Sequence, residues 1–182
     1  FGTAPIAFAC PREGKPPMVF DYATSASARG EIQVAARDGH SIPEGWALDK
    51  DGNSTTDPAA ALEGVQLPFG GHKGNAIMIM VELLSAGLTG GNFCFEAQEQ
   101  VDAFGGHDAG PSNAGQIFIL IDPKGFHETF LQRVESLFER ILEQDGTRLP
   151  GDRRYANRAR SATEGIECPA TLHQQILDMR AG

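Results

Sequence analysis

The 182-residue sequence predicts a soluble α/β domain, and three features carry that expectation. Short apolar, β-rich runs at Met18–Phe20 and Gln116–Ile121 alternate with longer segments whose apolar residues recur at helical spacing. A hydrophobic content of 41% suffices for one sizeable core, and 22 Gly with 11 Pro call for many tight connections. The longest apolar stretch, Ala76–Val81, is far too short to cross a bilayer.

Met18–Phe20 follows Pro16-Pro17 and precedes Asp21–Ser25, the pattern of a short buried strand running into a polar turn. Ala26–Ala36, with Ile32, Val34 and Ala35 apolar, predicts a helix ending near Asp38-Gly39, with Thr24 and Ser25 as candidate N-caps. Between Pro43 and Pro58 the turn pairs Glu44-Gly45, Asp51-Gly52 and Asp57-Pro58 predict a structured loop, packed onto the body by Trp46. The glycine-rich turn Gly70–Gly74 then opens a helix over Asn75–Leu88; Ile77, Met78, Val81, Leu84 and Leu88 leave it apolar nearly all round and predict its burial. Gly90-Gly91 closes that helix, Gly105–Gly115 reads as loop, and Gln116–Ile121 reads as a central strand halted by Asp122-Pro123. Phe126, Phe130, Val134, Leu137, Phe138 and Ile141 mark one face of a helix from about Phe126 to Glu143. The Leu149–Asp152 turn leads into a basic helical segment, and Thr171–Met179 predicts a terminal helix with Leu172, Ile176 and Met179 facing inward.

A net charge of −9 argues against nucleic acid as a partner, because the Arg-rich stretch Arg148–Arg160 is too local to form a basic surface. Cys10, Cys94 and Cys168 lack any CxxC spacing, which points to reduced thiols and a cytoplasmic protein. His40, His72, His107, His127 and His173 show no HExxH or other ligand spacing, so no metal is expected. No GxSxG elbow supports nucleophilic catalysis. Phe1 stands where an initiating Met would, and Gly2–Ile6 reads like the interior of a folded region, so we expect a piece of a longer chain.

Three clusters carry candidate chemistry. Gly70–Gly74 just before a helix can bring main-chain N–H groups close to a phosphate, with Lys73 adding charge and His72 a donor; the same pattern also serves an ordinary helix entry. Around the predicted turn after Phe20, Arg29 can pair with a substrate carboxylate and Glu31 can orient or relay a proton, while both also suit solvated helix charges. Arg148, Arg153 and Arg154 surround a Pro-Gly turn and can read a phosphate, including the extra phosphate of NADP, or can form a solvated basic surface.

The stretches Phe1-Gly-Thr-Ala-Pro-Ile-Ala-Phe8, Phe20-Asp-Tyr-Ala-Thr-Ser25, Arg29-Gly-Glu-Ile-Gln-Val-Ala-Ala-Arg37, Ile42-Pro-Glu-Gly-Trp46 and Leu67-Pro-Phe-Gly-Gly-His-Lys-Gly74 occur in this order. Continued by Leu88-Thr-Gly-Gly91 and Leu149-Pro-Gly-Asp-Arg-Arg-Tyr155, they resemble the malate/L-lactate dehydrogenase-like oxidoreductase family over nearly the whole chain. The resemblance implies an NAD(P)-dependent homodimeric enzyme with a mixed-sheet, non-Rossmann α/β fold, here incomplete at its N-terminus, which agrees with the absent GxGxxG. It implies that residues 1–145 belong to the cofactor-binding domain and that residues 146–182 return to the other domain with a further cofactor-binding turn. By matching motifs, Asp21, Tyr22, Ala23, Gly71, His72, Lys73 and the turn Leu149, Pro150, Gly151, Asp152, Arg153, Arg154 and Tyr155 would contact the dinucleotide. Thr3, Arg29 and Gly30 would touch a small carboxylate substrate, and NADP(H) is favoured over NAD(H).

Family members place the main proton donor, a His beside a Ser, N-terminal to anything in this chain. The branch resembling Δ1-piperideine-2-carboxylate/Δ1-pyrroline-2-carboxylate reductase carries an Asp at the position of Glu31 to assist that His, and malate-type members tend to carry Lys there; Glu31 keeps the acid but is one methylene longer. Phe93-Cys94-Phe95-Glu96 also resembles the imino-acid branch, although Arg29 stands where that branch can have His. The resemblance thus implies reduction of a cyclic 2-imino acid to proline or pipecolate. Alternatives are a dehydrogenase of a 2-hydroxy acid such as malate or lactate, and a non-catalytic binding domain.

Overall fold

The structure, a computed structural model, describes residues 3–97, 99 and 113–181. It divides into two compact units, residues 1–8 with 21–122 and residues 9–20 with 123–182. β1 (Ile6–Arg12) and β2 (Lys15–Tyr22) pair as a two-stranded sheet. β2 contains the expected Met18–Phe20 run and also takes in Pro16 and Pro17, which a strand with a free edge tolerates. β1 has no clear sequence signal because Ala, Cys and Pro dilute its β-formers.

In the first unit, α1 (Arg29–Asp38) ends as expected on Gly39, whose φ of 71° closes the helix in the left-handed region. It starts at Arg29 rather than Ala26, and Ala28 occupies the N-cap, so Thr24 and Ser25 are not caps; both are buried and bonded elsewhere. Ile32 faces the core, while Val34 is 47% exposed because the helix presents only one stripe to its neighbours. The region from Pro43 to Pro58 is more regular than a loop: β3 (Ala47–Leu48) pairs antiparallel with β4 (Ser54–Thr55). Asp49 shapes the intervening turn by accepting the Asp51 and Asn53 N–H groups, each at 2.9 Å. α2 (Pro58–Glu63) has Pro at its first turn and Asp57 as cap, and β5 (Val65–Gln66) completes the sheet order β4-β3-β5. Ile32, Ile42, Ala47 and Ala61 form the core here, with Trp46 packed on it as expected.

α3 (His72–Glu82) begins inside the glycine-rich turn and runs into a π-helical turn, Leu83–Gly87. Its expected burial on all sides is overturned: Gly74, Met78 and Ala86 are buried, but Ile79, Met80 and Leu83 are 39%, 43% and 57% exposed. An apolar composition shows what a helix can bury, whereas the packing partner decides which side it does bury. Gly90 closes the segment by donating to the Ala86 carbonyl. Most of the loop expected at Gly105–Gly115 lies outside the described residues. The largest correction is Gln116–Ile121, which is not a strand. Phe118, Ile119 and Leu120 are 77%, 75% and 89% exposed, and a β-prone run without a ladder partner has no register to adopt.

In the second unit a short 3₁₀ turn, Pro123–Gly125, precedes α4 (Phe130–Leu142), and α5 (Asp152–Glu164) and α6 (Ala170–Ala181) follow. Phe130, Val134, Phe138 and Ile141 pack with Cys10, Met18 and Leu149 as expected of one helix face, but Phe126 and Leu137 point out at 82% and 58% exposure. Phe126 precedes the helix, and Leu137 sits at the margin of the stripe. α5 confirms the expected basic helical segment. α6 forms, yet Leu172, Ile176 and Met179 are 47%, 47% and 82% exposed rather than inward-facing.

Candidate cofactor and substrate contacts

Within the first unit, the segment leaving β2 is stitched to two neighbours. Thr24 is fully buried; its N–H donates to the Thr3 carbonyl at 2.8 Å, and its Oγ1 donates to the Ala4 carbonyl at 2.9 Å. Ala4, at φ 35°, is a non-glycine residue in a sparsely populated conformation beside Thr3. On the other side the Phe69 N–H donates to the Thr24 carbonyl at 2.9 Å and the Ala26 N–H to the Leu67 carbonyl at 2.7 Å. Tyr22 packs edge-on against Phe69, with ring centroids 6.0 Å apart. Thr3, the end of β2 with Ala23, and the glycine-rich turn are therefore brought together; Asp21 and Tyr22 belong to the strand rather than to the expected turn.

The three glycines of that turn have different reasons. Gly70 and Gly71 both sit at φ 61°, where no neighbour would obstruct a side chain but the backbone itself disfavours one. Gly74 has ordinary φ, and a Cβ there would overlap the Phe69 carbonyl, so it is needed for close packing of α3. Gly71 occupies the N-cap of α3, no side chain caps the helix, and a groove of about 580 Å³ lined by Ala26, Pro68, Gly71, His72 and Asn75 opens beside it. Uncapped helix N–H groups facing a groove are suited to an anion.

Arg29 and Glu31 lie in the first turn of α1, exposed and lightly held. Arg29 Nη2 donates to the Leu62 carbonyl and Glu31 Oε2 accepts the Ala28 N–H, each at 3.4 Å. These long bonds leave both side chains easy to redirect.

The second unit has its own turn. Leu149 is buried against Phe138, the Asp152 carboxylate accepts the Leu149 N–H at 2.8 Å, and the Tyr155 hydroxyl donates to the Pro17 carbonyl at 2.9 Å. Gly151 takes φ 97° at the start of α5, and an open groove is lined by Thr147, Arg148, Pro150, Gly151, Arg153 and Arg154. Leu149, Asp152 and Tyr155 thus build the turn, and the exposed Arg153 and Arg154 are its outward cations. Nearby, Glu135 accepts from Arg12 at 2.6 Å and Lys15 at 2.8 Å, and these bonds, the Arg12 bond foremost, pull its carboxyl down to about 2. Burial, reinforced by Glu135, raises the Cys10 thiol.

Sequence reasoning did not single out Asn75, Thr147 or Gln66. Asn75, three residues into the helix from His72, could have been found from helical spacing. Gln66 leaves no local signal, since its partner Ser27 comes from distant chain, whereas Thr147 caps the end of α4 by donating to the Ile141 and Gln144 carbonyls and was within reach of a local reading. Among the described residues no group of three His, Cys, Asp or Glu side chains could hold a metal ion, and no helix is long and apolar enough to cross a membrane.

The sequence profile described as malate/L-lactate dehydrogenase matches residues 1–177. The chain belongs to this family. A Delta(1)-pyrroline-2-carboxylate/Delta(1)-piperideine-2-carboxylate reductase of Pseudomonas syringae pv. tomato is 52% identical over 169 residues, which is 91% of this chain and 48% of that protein. A (2R)-3-sulfolactate dehydrogenase (NADP(+)) of Chromohalobacter salexigens is 45% identical over 176 residues, covering 97% of this chain and 51% of the other. The crystal structure of delta1-piperideine-2-carboxylate reductase from Pseudomonas syringae pvar. tomato superposes with a TM-score of 0.84 at 48% identity, over 96% of this chain and 52% of that one. The chain spans about half the length of the curated relatives it matches.

Proposed function

We propose that the protein reduces a cyclic 2-imino carboxylate, Δ1-piperideine-2-carboxylate or Δ1-pyrroline-2-carboxylate, to pipecolate or proline with NADPH. The observation that carries this reading is the 52% identity to a relative named for that reaction. In that reaction reduced nicotinamide adds hydride to the C=N carbon, the ring nitrogen gains a proton, and the nicotinamide leaves oxidised.

Asp21, Tyr22, Ala23, Gly71, His72 and Lys73 in the first unit would hold the cofactor. The groove at the uncapped start of α3 fits an anionic group, and the glycines admit it without a Cβ in the way. In the second unit Leu149, Pro150, Gly151, Asp152, Arg153, Arg154 and Tyr155 would add a second set of contacts, and Arg153 with Arg154 suit the phosphate that distinguishes NADP from NAD. In this reading residues 1–145 belong to the cofactor-binding domain and residues 146–182 supply a further turn. Thr3, Arg29 and Gly30 would orient the substrate carboxylate, and Glu31 would hold a proton donor in its correct state. At its natural length the protein would be a cytoplasmic homodimer with the mixed-sheet, non-Rossmann fold of the family.

Loss of NADPH absorbance with Δ1-piperideine-2-carboxylate, set against malate, lactate and 3-sulfolactate with NADP, tests the assignment on the protein at its natural length. Turnover of the imino acid at least about a hundredfold more efficient than of the hydroxy acids is expected. Preference for a hydroxy acid would overturn it in favour of the dehydrogenase reading, which the 45% identity to a sulfolactate dehydrogenase supports.

A further inference from the structure

Side chains hold the approach to α1 at one carbonyl group. The Ser27 C=O immediately precedes the Ala28 N-cap and takes no part in the helix, whose first N–H groups, from Glu31 and Ile32, donate to the Ala28 carbonyl. Side chains occupy it instead: Ser25 Oγ donates to the Ser27 carbonyl at 2.7 Å and Gln66 Nε2 at 2.8 Å. A carbonyl oxygen has two lone pairs, so these two bonds satisfy it fully.

The two donors do different things. Ser25 lies two residues away and shapes the turn internally, whereas Gln66 lies across 39 residues of chain and refers the turn to another element. Gln66 ends β5 opposite the fully buried Ala47, and Leu67–Phe69 run from it directly into the Gly70–Gly74 turn. Among the described residues the buried Ser27 hydroxyl has no partner, so the anchoring of this residue rests on its carbonyl. Only the NH₂ end of the Gln66 amide can serve such a carbonyl, which settles its orientation.

We propose that Gln66 is a positioning residue: through the Ser27 carbonyl it sets the first turn of α1, with Arg29, Gly30 and Glu31, against the strand that enters the glycine-rich turn. The proposal rests on the reading of those three residues as substrate-side contacts. The Ala26 N–H to Leu67 and Phe69 N–H to Thr24 bonds already join the two segments upstream, and the Gln66 bond extends that tie to the residue immediately before the helix cap. A misplacement of about 1 Å at such contacts can cost roughly a hundredfold in rate.

The test uses Gln66→Met, close in volume and without a donor, and Gln66→Glu, both at natural length. For Gln66→Met, amide-exchange protection of residues 28–32 should fall by about tenfold and the imino-acid KM should rise by at least about fivefold, with the NADPH Kd within about twofold. In Gln66→Glu an ionised carboxylate repels the carbonyl while a protonated one donates to it. Protection and KM should therefore match the Met variant near pH 8 and return toward wild type as the pH falls to about 5. A side chain that merely fills space would show no such recovery. Unchanged protection and KM in Gln66→Met, or a pH-independent Gln66→Glu, would overturn the proposal. If the wild-type protein does not reduce imino acids, the functional reading fails by itself, and the exchange measurement, which needs no substrate, still decides the role of Gln66.

Discussion

The glycine-bearing turns Gly70–Gly74 and Leu149–Tyr155 both open a helix on a positive-φ glycine and differ in how that glycine is supported. Each places a positive-φ glycine, Gly71 at 61° and Gly151 at 97°, before a helix that no side chain caps. In the first, main chain does the holding: Gly74 lies against the Phe69 carbonyl, and Phe69 is itself bonded to Thr24. In the second, side chains add most of the support, through Leu149 in the core, Asp152 on the Leu149 N–H and Tyr155 on Pro17, beside one main-chain bond from the Val19 N–H to the Pro150 carbonyl. A helix start kept open for an anion must be rigid without spending its own N–H groups, and the two turns reach that end by packing and by side-chain bonds respectively.

The contrast can be broken most forcefully at Leu149. Leu149→Ala should cost about 2–5 kcal/mol in denaturant unfolding of the second unit, because a 2%-exposed core side chain leaves a cavity. Gly74→Ala should cost the first unit about 1–3 kcal/mol, since its Cβ meets backbone that cannot move aside; an unchanged midpoint would show that close packing does not hold that turn. Gly71→Ala should cost about 1–3 kcal/mol purely through its backbone conformation, φ 61° with ψ −130°, the space around it being open.

A gentler effect is expected in acid. Glu135 is held at about 2 against an ordinary 4.5, so its contribution is complete above pH 4.5 and is lost as the pH falls toward 2. Glu135→Gln should abolish that part of the pH dependence, read by thermal melts of the second unit across this range. Ser27→Ala should be the smallest change, within about 0.5 kcal/mol of wild type or slightly stabilising, because the hydroxyl it removes has no partner to lose.

The elements that could be read from sequence are those with strong local punctuation. Gly39 ends α1, Gly90 closes the segment after α3, and the Phe130–Ile141 stripe forms α4. Those that could not depend on partners. Among the described residues Gln116–Ile121 has the composition of a strand and no ladder, Leu172, Ile176 and Met179 have the spacing of a buried face and are exposed, and the start of α1 moved because Thr24 is engaged by the distant Ala4 carbonyl and Ser25 by the Ser27 carbonyl just ahead of the cap. For the candidate site, the Gly70–Gly74 and Leu149–Tyr155 turns were visible as strings, while the division of labour inside them was not.

By itself the sequence determined the family, the helix boundaries marked by glycine and the order of the motifs, because these depend on backbone conformational limits and on which residue types follow one another. Only the tertiary structure decided that Gly74 serves packing while Gly70 and Gly71 serve φ, that Asp152 and Tyr155 support their turn from within, and that Gln66 reaches Ser27. Each of those is a bond or a clash between residues brought together by folding, and local propensity carries no information about such neighbours.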